Sequence, residues 1–277
     1  MIWNDMNDLE QDQRQKRGRP LADRRISITA ARNASWLLIG IAILLVSLLA
    51  LAPNFFGQVA RETGAESMSF VQRFGPTVGP IVVVLGLVIS VRLYNSKLKM
   101  SLLGPVLMGG CRAGSLLLGV SASCFLGFAD WMMLPHAWVA AVGQGVYVAG
   151  FTWSGRREAE INRSGSIAAG WIVSAVGLVV LALMPSFAPA EVPLRISPIP
   201  GYPIAFTVLA LPLIRRAFFS ISTPNPQTIQ LAIKQAIFSI VFFDALIALQ
   251  FSGPWPALAI CSLIIPSVMI GKYFRST

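Results

Sequence analysis

Long apolar stretches recur along most of the chain, separated by short polar borders or borders rich in proline and glycine. A helix needs about 20 apolar residues to cross the hydrocarbon core of a bilayer. The pattern predicts eight such helices, in the windows 34–53, 76–93, 101–121, 135–153, 166–185, 202–218, 228–250 and 255–271. The sixth is expected to be short and bent, because it contains Pro203 and Pro212. We therefore predict an all-α fold, a polytopic membrane bundle of about eight helices.

The composition agrees with a membrane protein. Of the 277 residues, 55% are hydrophobic and 12% are charged, and the mean hydropathy is +0.67. About a quarter of an ordinary soluble domain is charged, so the composition argues against that class. The three cysteines have no CxxC spacing and suggest neither a zinc site nor a disulfide framework, and the single histidine excludes a histidine-based metal site or catalytic triad. No internal repeat or second domain is visible, and we predict one domain over residues 1–277.

The chain has a net charge of +10, and its positive residues are unevenly distributed between the two sides of the membrane when the N-terminus is placed in the cytoplasm. Most lysines and arginines then fall in cytoplasmic segments, as the positive-inside rule requires. We expect an integral multi-pass protein of the bacterial inner membrane with both termini in the cytoplasm. Nucleic-acid binding is not expected, because no soluble stretch could build a basic folded face. Arg112 and Asp244 fall within predicted spans, where they either pair with each other or line a polar cavity.

The strongest chemical signal is an acidic string at the N-terminus, Asn4-Asp5-Met6-Asn7-Asp8-Leu9-Glu10-Gln11-Asp12. On one continuous helix, Asp5, Asp8 and Asp12 would lie within about 60° of one another and share a face. Such a face suits Mg²⁺, which is commonly held by one or two carboxylates together with substrate phosphates. The alternative is a solvated acidic helix end, balanced by the basic residues that follow it.

This string, followed by Arg19-Pro20-Leu21 and then Arg25-Ile26-Ser27, resembles the first signature of the UbiA superfamily of intramembrane prenyltransferases. The resemblance implies a helical bundle around a cavity open to lipid. There Mg²⁺ binds a prenyl diphosphate and promotes its ionisation, and an aromatic or lipophilic acceptor captures the isoprenyl group. By the same resemblance Asp5, Asp8 and Asp12 are the catalytic Mg²⁺ ligands, Asn4 is a supporting polar ligand, and Arg19 helps to bind the diphosphate.

The rest of the predicted site is less regular. The family's second acidic motif should fall within residues 152–163, but no aspartate occurs there, and Glu158 and Glu160 cannot share a helical face. One hypothesis is that Arg156 and Arg157 bind the diphosphate directly; the alternative is that they serve only topology. The candidate substrate-binding residues outside the first motif are Lys97, Lys99, Arg112, Arg156, Arg157 and Glu158.

The motif begins at residue 4, whereas the family places about two membrane helices before it. We therefore expect that the chain starts late at an internal methionine or is truncated at its N-terminus. The leading functional prediction is a Mg²⁺-dependent membrane prenyltransferase. The rival is a catalytically impaired protein of the same fold that binds or helps to export a prenylated metabolite. A transporter using Arg112 and Asp244 ranks last, because it predicts inverted repeats and none is visible.

Overall fold

The computed structural model describes residues 2–14, 20–56, 70–101, 103–124, 134–156 and 164–273. Within these ranges the α-helices are α1 (Ile2–Asn7), α2 (Leu9–Arg14), α3 (Ile28–Phe56), α4 (Phe70–Tyr94), α5 (Leu103–Cys124), α6 (Pro135–Gly155), α7 (Ser164–Leu183), α8 (Gly201–Ser222), α9 (Pro226–Phe251), α10 (Pro254–Ser262) and α11 (Ile264–Tyr273). Two 3₁₀ helices, Lys97–Met100 and Met184–Phe187, follow α4 and α7. The described part of the chain has no strand, so the prediction of an all-α fold is confirmed.

Five helices of the described part are long and apolar enough to cross a membrane. They cover Ile28–Leu48, Leu103–Ser121, Gly165–Phe187, Gly201–Ser222 and Pro226–Phe251. Gly79–Tyr94 and Pro254–Pro266 are shorter apolar helical stretches. Large apolar side chains such as Leu37 and Ile172 are each 64% exposed, as suits helices with lipid as their solvent. The prediction of a membrane protein with transmembrane helices is therefore supported.

The predicted windows 76–93, 135–153 and 255–271 are not among these five candidate spans, so the count of about eight stays a prediction. Two windows also differ from the observed helices in length or continuity. The sixth is not shortened: α8 has 22 residues and contains Pro212 in its interior, while Pro203 lies in the first turn. A proline is tolerated in the first turn because its missing N–H would have no helical partner there. The eighth window is divided at Leu263, whose N–H bonds to the carbonyl of Ile260, three residues back. Pro266 cannot donate to the carbonyl four residues before it, which favours this break.

The chain divides into two compact units, Met1–Ala137 and Trp138–Thr277, called unit 1 and unit 2 below. In unit 1, α4 packs against both α3 and α5, and α1 packs against α3. A side chain at Gly114 of α5 would lie 2.8 Å from Leu87 of α4, so this glycine permits their close approach. Ser27 is the N-cap of α3, because its hydroxyl oxygen accepts a hydrogen bond from the N–H of Ala30 at 3.1 Å. The prediction of one domain over 1–277 stays a prediction.

Unit 2 has a buried aromatic core between α6, α8 and α9. The rings of Phe206 and Phe243 stack with centroids 4.6 Å apart, and Tyr147 meets Phe243 edge-on at 5.6 Å. The Tyr147 hydroxyl donates to the carbonyl of Ala236 at 2.9 Å. That bond satisfies the polar end of the ring, as burial of a tyrosine requires.

Three glycines let α6 and α7 pack backbone against backbone in unit 2. A side chain at Gly150 would collide with the backbone of Ser174, and one at Gly170 with the backbone of Ser154. A side chain at Gly177 would collide with the backbone of Tyr147. Without a strong hydrophobic force between helices in lipid, this close contact is a main source of association.

The connector between α7 and α8 is held by one glutamine. Gln250, near the end of α9, is fully buried. Its side-chain Oε1 accepts the N–H of Ile196 at 2.9 Å, and its Nε2 donates to the carbonyl of the same residue at 2.8 Å. The backbone carbonyl of Gln250 also accepts the N–H of Arg195 at 3.3 Å. This connector is therefore tied to the C-terminal end of α9.

Candidate functional site

The acidic string does not form the continuous helix that the sequence analysis expected. Its helix is interrupted at Asp8, which lies in a turn between α1 and α2. Asn7 and Asp8 have short polar side chains that bond to nearby backbone and favour turns over helix interiors, which explains the break. The single helical face carrying Asp5, Asp8 and Asp12 is therefore not observed. Asp12 lies in α2, but its side chain and that of Asn4 are outside the described part.

The structure brings Asp8 together with Lys99, a residue 91 positions away. The Lys99 Nζ lies 2.6 Å from Asp8 Oδ2, and the two side chains are only 29% and 22% exposed. A fully exposed ion pair contributes about 0.2–1 kcal/mol. Partial burial reduces the screening of this pair by salt. Two residues of the predicted site, the acidic Asp8 and the basic Lys99, are therefore in contact in unit 1.

The backbone around Lys99 is held on both sides. The Ser96 hydroxyl accepts the N–H of Leu98 at 3.2 Å and caps the 3₁₀ helix, and the N–H of Ser101 bonds to the carbonyl of Leu98 at 2.9 Å. A side chain at Gly104 would lie 2.5 Å from the carbonyl oxygen of Lys99, so the start of α5 closely abuts this helix. Lys99 is thus presented to Asp8 from a fixed backbone.

A cluster of two tryptophans and one arginine anchors α1 to α3 and α4. The Arg92 guanidinium carbon lies 4.1 Å from the ring centroid of Trp3 and 5.4 Å from that of Trp36. The two rings meet edge-to-face with centroids 5.7 Å apart. Each cation–π contact of this kind contributes about 0.5–1 kcal/mol at exposed sites. The sequence analysis missed this anchor; the available signal was an aromatic residue inside the polar N-terminal segment.

The segment after the acidic string forms a compact turn before α3. The N–H of Arg25 donates to the carbonyl of Pro20 at 2.9 Å, and the N–H of Arg24 donates to that of Leu21 at 3.2 Å. Leu21 is buried, whereas Arg24 and Arg25 are exposed. Arg24 has a φ of 59°, in the left-handed region where a side chain costs about 1–2 kcal/mol. The Pro20–Ser27 part of the predicted signature is therefore an ordered turn that carries strain at Arg24.

We expect Arg24→Gly to raise the free energy of unfolding by about 0.5–1 kcal/mol, because glycine adopts this conformation without strain. The measurement is thermal unfolding of the purified protein in detergent. Arg25→Gly is the matched control: Arg25 is adjacent, exposed and not in the left-handed region, so glycine there should lower stability. A lower melting temperature for Arg24→Gly than for the wild type would contradict the assigned strain.

The other predicted site residues are distributed over both units. In unit 1, Arg112 is half-buried in α5, and Lys97 begins the 3₁₀ helix with its side chain outside the described part. In unit 2, half-buried Arg156 follows α6, and its N–H donates to the carbonyl of Trp153 at 3.2 Å. Arg19, Arg157 and Glu158 lie outside the described residues. Their predicted roles stay predictions.

Asp244 has a partner that the sequence analysis did not consider. The amide nitrogen Nε2 of Gln144 in α6 donates a hydrogen bond to Asp244 Oδ1 in α9. Gln144 is fully buried, and a glutamine within an apolar window was the signal that could have pointed to it. Polar side chains at membrane depth are costly unless they are hydrogen-bonded to each other. The proposed pairing of Arg112 with Asp244 would join the two units and stays a prediction.

The donor set around Asp8 suits a metal held jointly with a phosphate. Among the described residues, no group of three His, Cys, Asp or Glu side chains is close enough to hold a metal ion without further ligands. Half-buried Asp5 and Asp8 nevertheless offer two carboxylates on the same short segment. Mg²⁺ typically takes one or two carboxylates together with waters and substrate phosphates, so two carboxylates match the number it needs. In this structure the Lys99 ammonium group contacts one of them, Asp8.

Comparison of this chain with family models, with curated protein sequences and with solved structures gives no match.

Proposed function

We propose that this chain is a UbiA-like integral membrane prenyltransferase with about eight membrane-spanning helices. It transfers an isoprenyl group from a prenyl diphosphate to an aromatic or lipophilic acceptor, with Mg²⁺ as cofactor. The observation that carries the proposal is the contact of Asp8 with Lys99, 2.6 Å between Oδ2 and Nζ. It joins the acidic string to a basic 3₁₀ helix after α4, and a diphosphate with its metal needs both charges in one place.

In this mechanism Asp5, Asp8 and Asp12 would hold Mg²⁺. When bound, Mg²⁺ neutralises negative charge on the leaving diphosphate. Lys99 would exchange its contact with Asp8 for one with the diphosphate, donating its ammonium N–H to a phosphate oxygen, and Asp8 would then be available as a metal ligand. Arg156 and Arg157 are further proposed phosphate ligands, since guanidinium groups match phosphate oxygens bidentately.

The reaction breaks the bond between the allylic carbon and the diphosphate oxygen, and the diphosphate leaves with the electron pair. An electron-rich atom of the acceptor forms the new bond to the allylic carbon and then loses a proton. The apolar helices exclude water, which would otherwise capture the carbocation as an alcohol. The proposed location is the bacterial inner membrane, with the acidic string and both termini on the cytoplasmic side. The positive-inside distribution of lysine and arginine supports this orientation.

A second candidate function is binding of a prenyl diphosphate, or help in exporting a prenylated metabolite, without turnover. The specific observation in its favour is the lack of any aspartate within residues 152–163, where the family's second metal motif should lie. One metal site could bind the diphosphate without neutralising enough charge to ionise it.

One experiment separates the two candidates. Protein purified in detergent is incubated with geranyl, farnesyl or longer prenyl diphosphates in the presence of Mg²⁺ or of excess EDTA. Both binding and loss of the diphosphate ester are measured. Consumption that requires Mg²⁺ supports the prenyltransferase, and Mg²⁺-dependent binding without consumption supports the non-catalytic function. If none of these diphosphates binds in the presence of Mg²⁺, both proposals are wrong.

A further inference from the structure

A basic pocket in unit 2 has no role in the proposed reaction. It lies between α8 and α9, encloses about 330 Å³, and is lined by Pro212, Arg215, Arg216, Phe219 and Gln235. The Arg215 guanidinium carbon lies 5.8 Å from the centroid of the Phe219 ring, so a cation–π contact orients one of the two charges. The pocket therefore combines two cationic groups, an amide and apolar walls.

Among the described residues, no carboxylate forms an ion pair with either arginine of this pocket. The carboxylates that the structure describes in unit 2 are Glu191 and Asp244, and neither forms an ion pair with either arginine. Arg215 lies seven residues before Ser222, the last residue of α8, which is about 10 Å along the helix axis. From a position about one to two turns inside a spanning helix, a long arginine side chain extends along the helix to reach the lipid headgroups. Two exposed guanidinium groups, unpaired with any described carboxylate, favour an anionic ligand here.

An exposed apolar stripe leads away from the pocket along α8. Ile204, Val208 and Leu211 are each more than half exposed. Their spacing of four and three residues continues to Arg215, so all four lie on one face of the helix. From Arg215 to Ile204 the stripe is about 16 Å long. It runs from the basic pocket toward the other end of the span, as an acyl chain does below its headgroup.

We propose that the pocket binds the phosphate headgroup of an anionic phospholipid, whose acyl chain lies along the stripe. The guanidinium groups of Arg215 and Arg216 donate to the phosphate oxygens, and the Gln235 amide donates to the glycerol or headgroup oxygens. The net charge of the pocket favours an anionic headgroup over a zwitterionic one. The lipid would thereby fix the packing of α8 on α9.

The test is lipid binding to the full chain in a neutral detergent, measured by native mass spectrometry with dioleoyl phosphatidylglycerol or dioleoyl phosphatidylcholine. We expect the first retained lipid to be phosphatidylglycerol, bound several-fold more tightly than phosphatidylcholine. Arg215→Gln with Arg216→Gln should weaken phosphatidylglycerol binding by about tenfold or more, because two charge-assisted contacts are lost. Arg215→Lys with Arg216→Lys keeps both charges and should lose less.

Arg195→Gln is the matched control, because it removes one positive charge from the connector between α7 and α8 and should leave the affinity unchanged. Equal binding of the two lipids, or no loss in the glutamine double variant, would overturn the proposal. Equal loss in Arg195→Gln would also do so, since it would indicate a general charge effect. Displacement of the lipid by inorganic phosphate or by farnesyl diphosphate at equal concentration would assign the pocket to a free phosphate or to the prenyl substrate instead.

Discussion

Asp8→Asn is expected to lower the Mg²⁺-dependent consumption of prenyl diphosphate by at least about a hundredfold. Asparagine has the shape of aspartate and can still accept a hydrogen bond from Lys99, so the fold of unit 1 should persist. What is lost is the negative charge that the metal requires. The measurement is the initial rate of diphosphate release at saturating Mg²⁺, with thermal unfolding as a check on folding.

Glu10→Gln is the matched control for this prediction. Glu10 lies two residues further along the same acidic string, but it is 89% exposed and pairs only loosely with Arg14, at 4.0 Å. Removing its charge should change the rate by less than about twofold, since exposed ion pairs are weak. An Asp8→Asn variant that keeps at least half of the wild-type rate would contradict the proposed role of Asp8 as a metal ligand.

A double-mutant cycle adds the part played by Lys99. If Lys99 and Asp8 act on the same metal–diphosphate group, Lys99→Gln should cost much less in the Asp8→Asn background than in the wild type. Additive effects of the two substitutions would instead indicate that each acts independently. The cycle therefore tests whether the ion pair is a joint binding site or only a structural contact.

Gly177→Val is expected to lower the free energy of unfolding by about 3 kcal/mol or more. Its Cβ would collide with the backbone nitrogen of Tyr147 and would lie 2.7 Å from the carbonyl oxygen of Gly143. Backbone cannot move aside as a flexible side chain can, so α7 would have to separate from α6. Thermal unfolding in detergent and the recovery of monodisperse protein measure the effect.

Gly165→Ala is the control for the glycine contact. Gly165 lies in the first turn of the same helix, and a Cβ there meets no described atom within 4 Å. Alanine has a higher helix propensity than glycine, so this variant should be neutral or more stable by up to about 1 kcal/mol. If Gly177→Val unfolds at the same temperature as the wild type, the close packing of α6 on α7 is wrong.

Helix positions were largely predictable because hydropathy is a local property of the chain. The window 228–250 corresponds to α9, Pro226–Phe251, and the window 135–153 to α6, Pro135–Gly155. The ends of α9 also follow local rules: Asn225 and Thr228 form a capping box at its start. The break at Asp8 was missed, since the helical-face argument assumed one continuous helix and gave no weight to the turn preference of Asn7 and Asp8.

The sequence predicted which charged residues belong to the candidate site but not which of them are in contact. Acidic residues in the N-terminal string and lysines near residue 99 were both identified, but their contact depends on α1 reaching the end of α4. That approach is set by the Trp3–Arg92–Trp36 cluster, whose residues are far apart in the chain. Similarly, the bond between Gln144 and Asp244 depends on which faces of α6 and α9 meet.

The sequence by itself determined that this protein is helical and is a membrane protein. The length of the apolar segments and the scarcity of charged residues can be read without knowing which residues are in contact. It also determined which rare charges need an explanation. Only the tertiary structure decided their partners: Lys99 for Asp8, Gln144 for Asp244, and no described carboxylate of unit 2 for Arg215 and Arg216. These partners could not be predicted because they depend on how each helix is rotated and on where glycines allow close packing. Many apolar sequences with the same hydropathy would have other helix rotations and other close contacts.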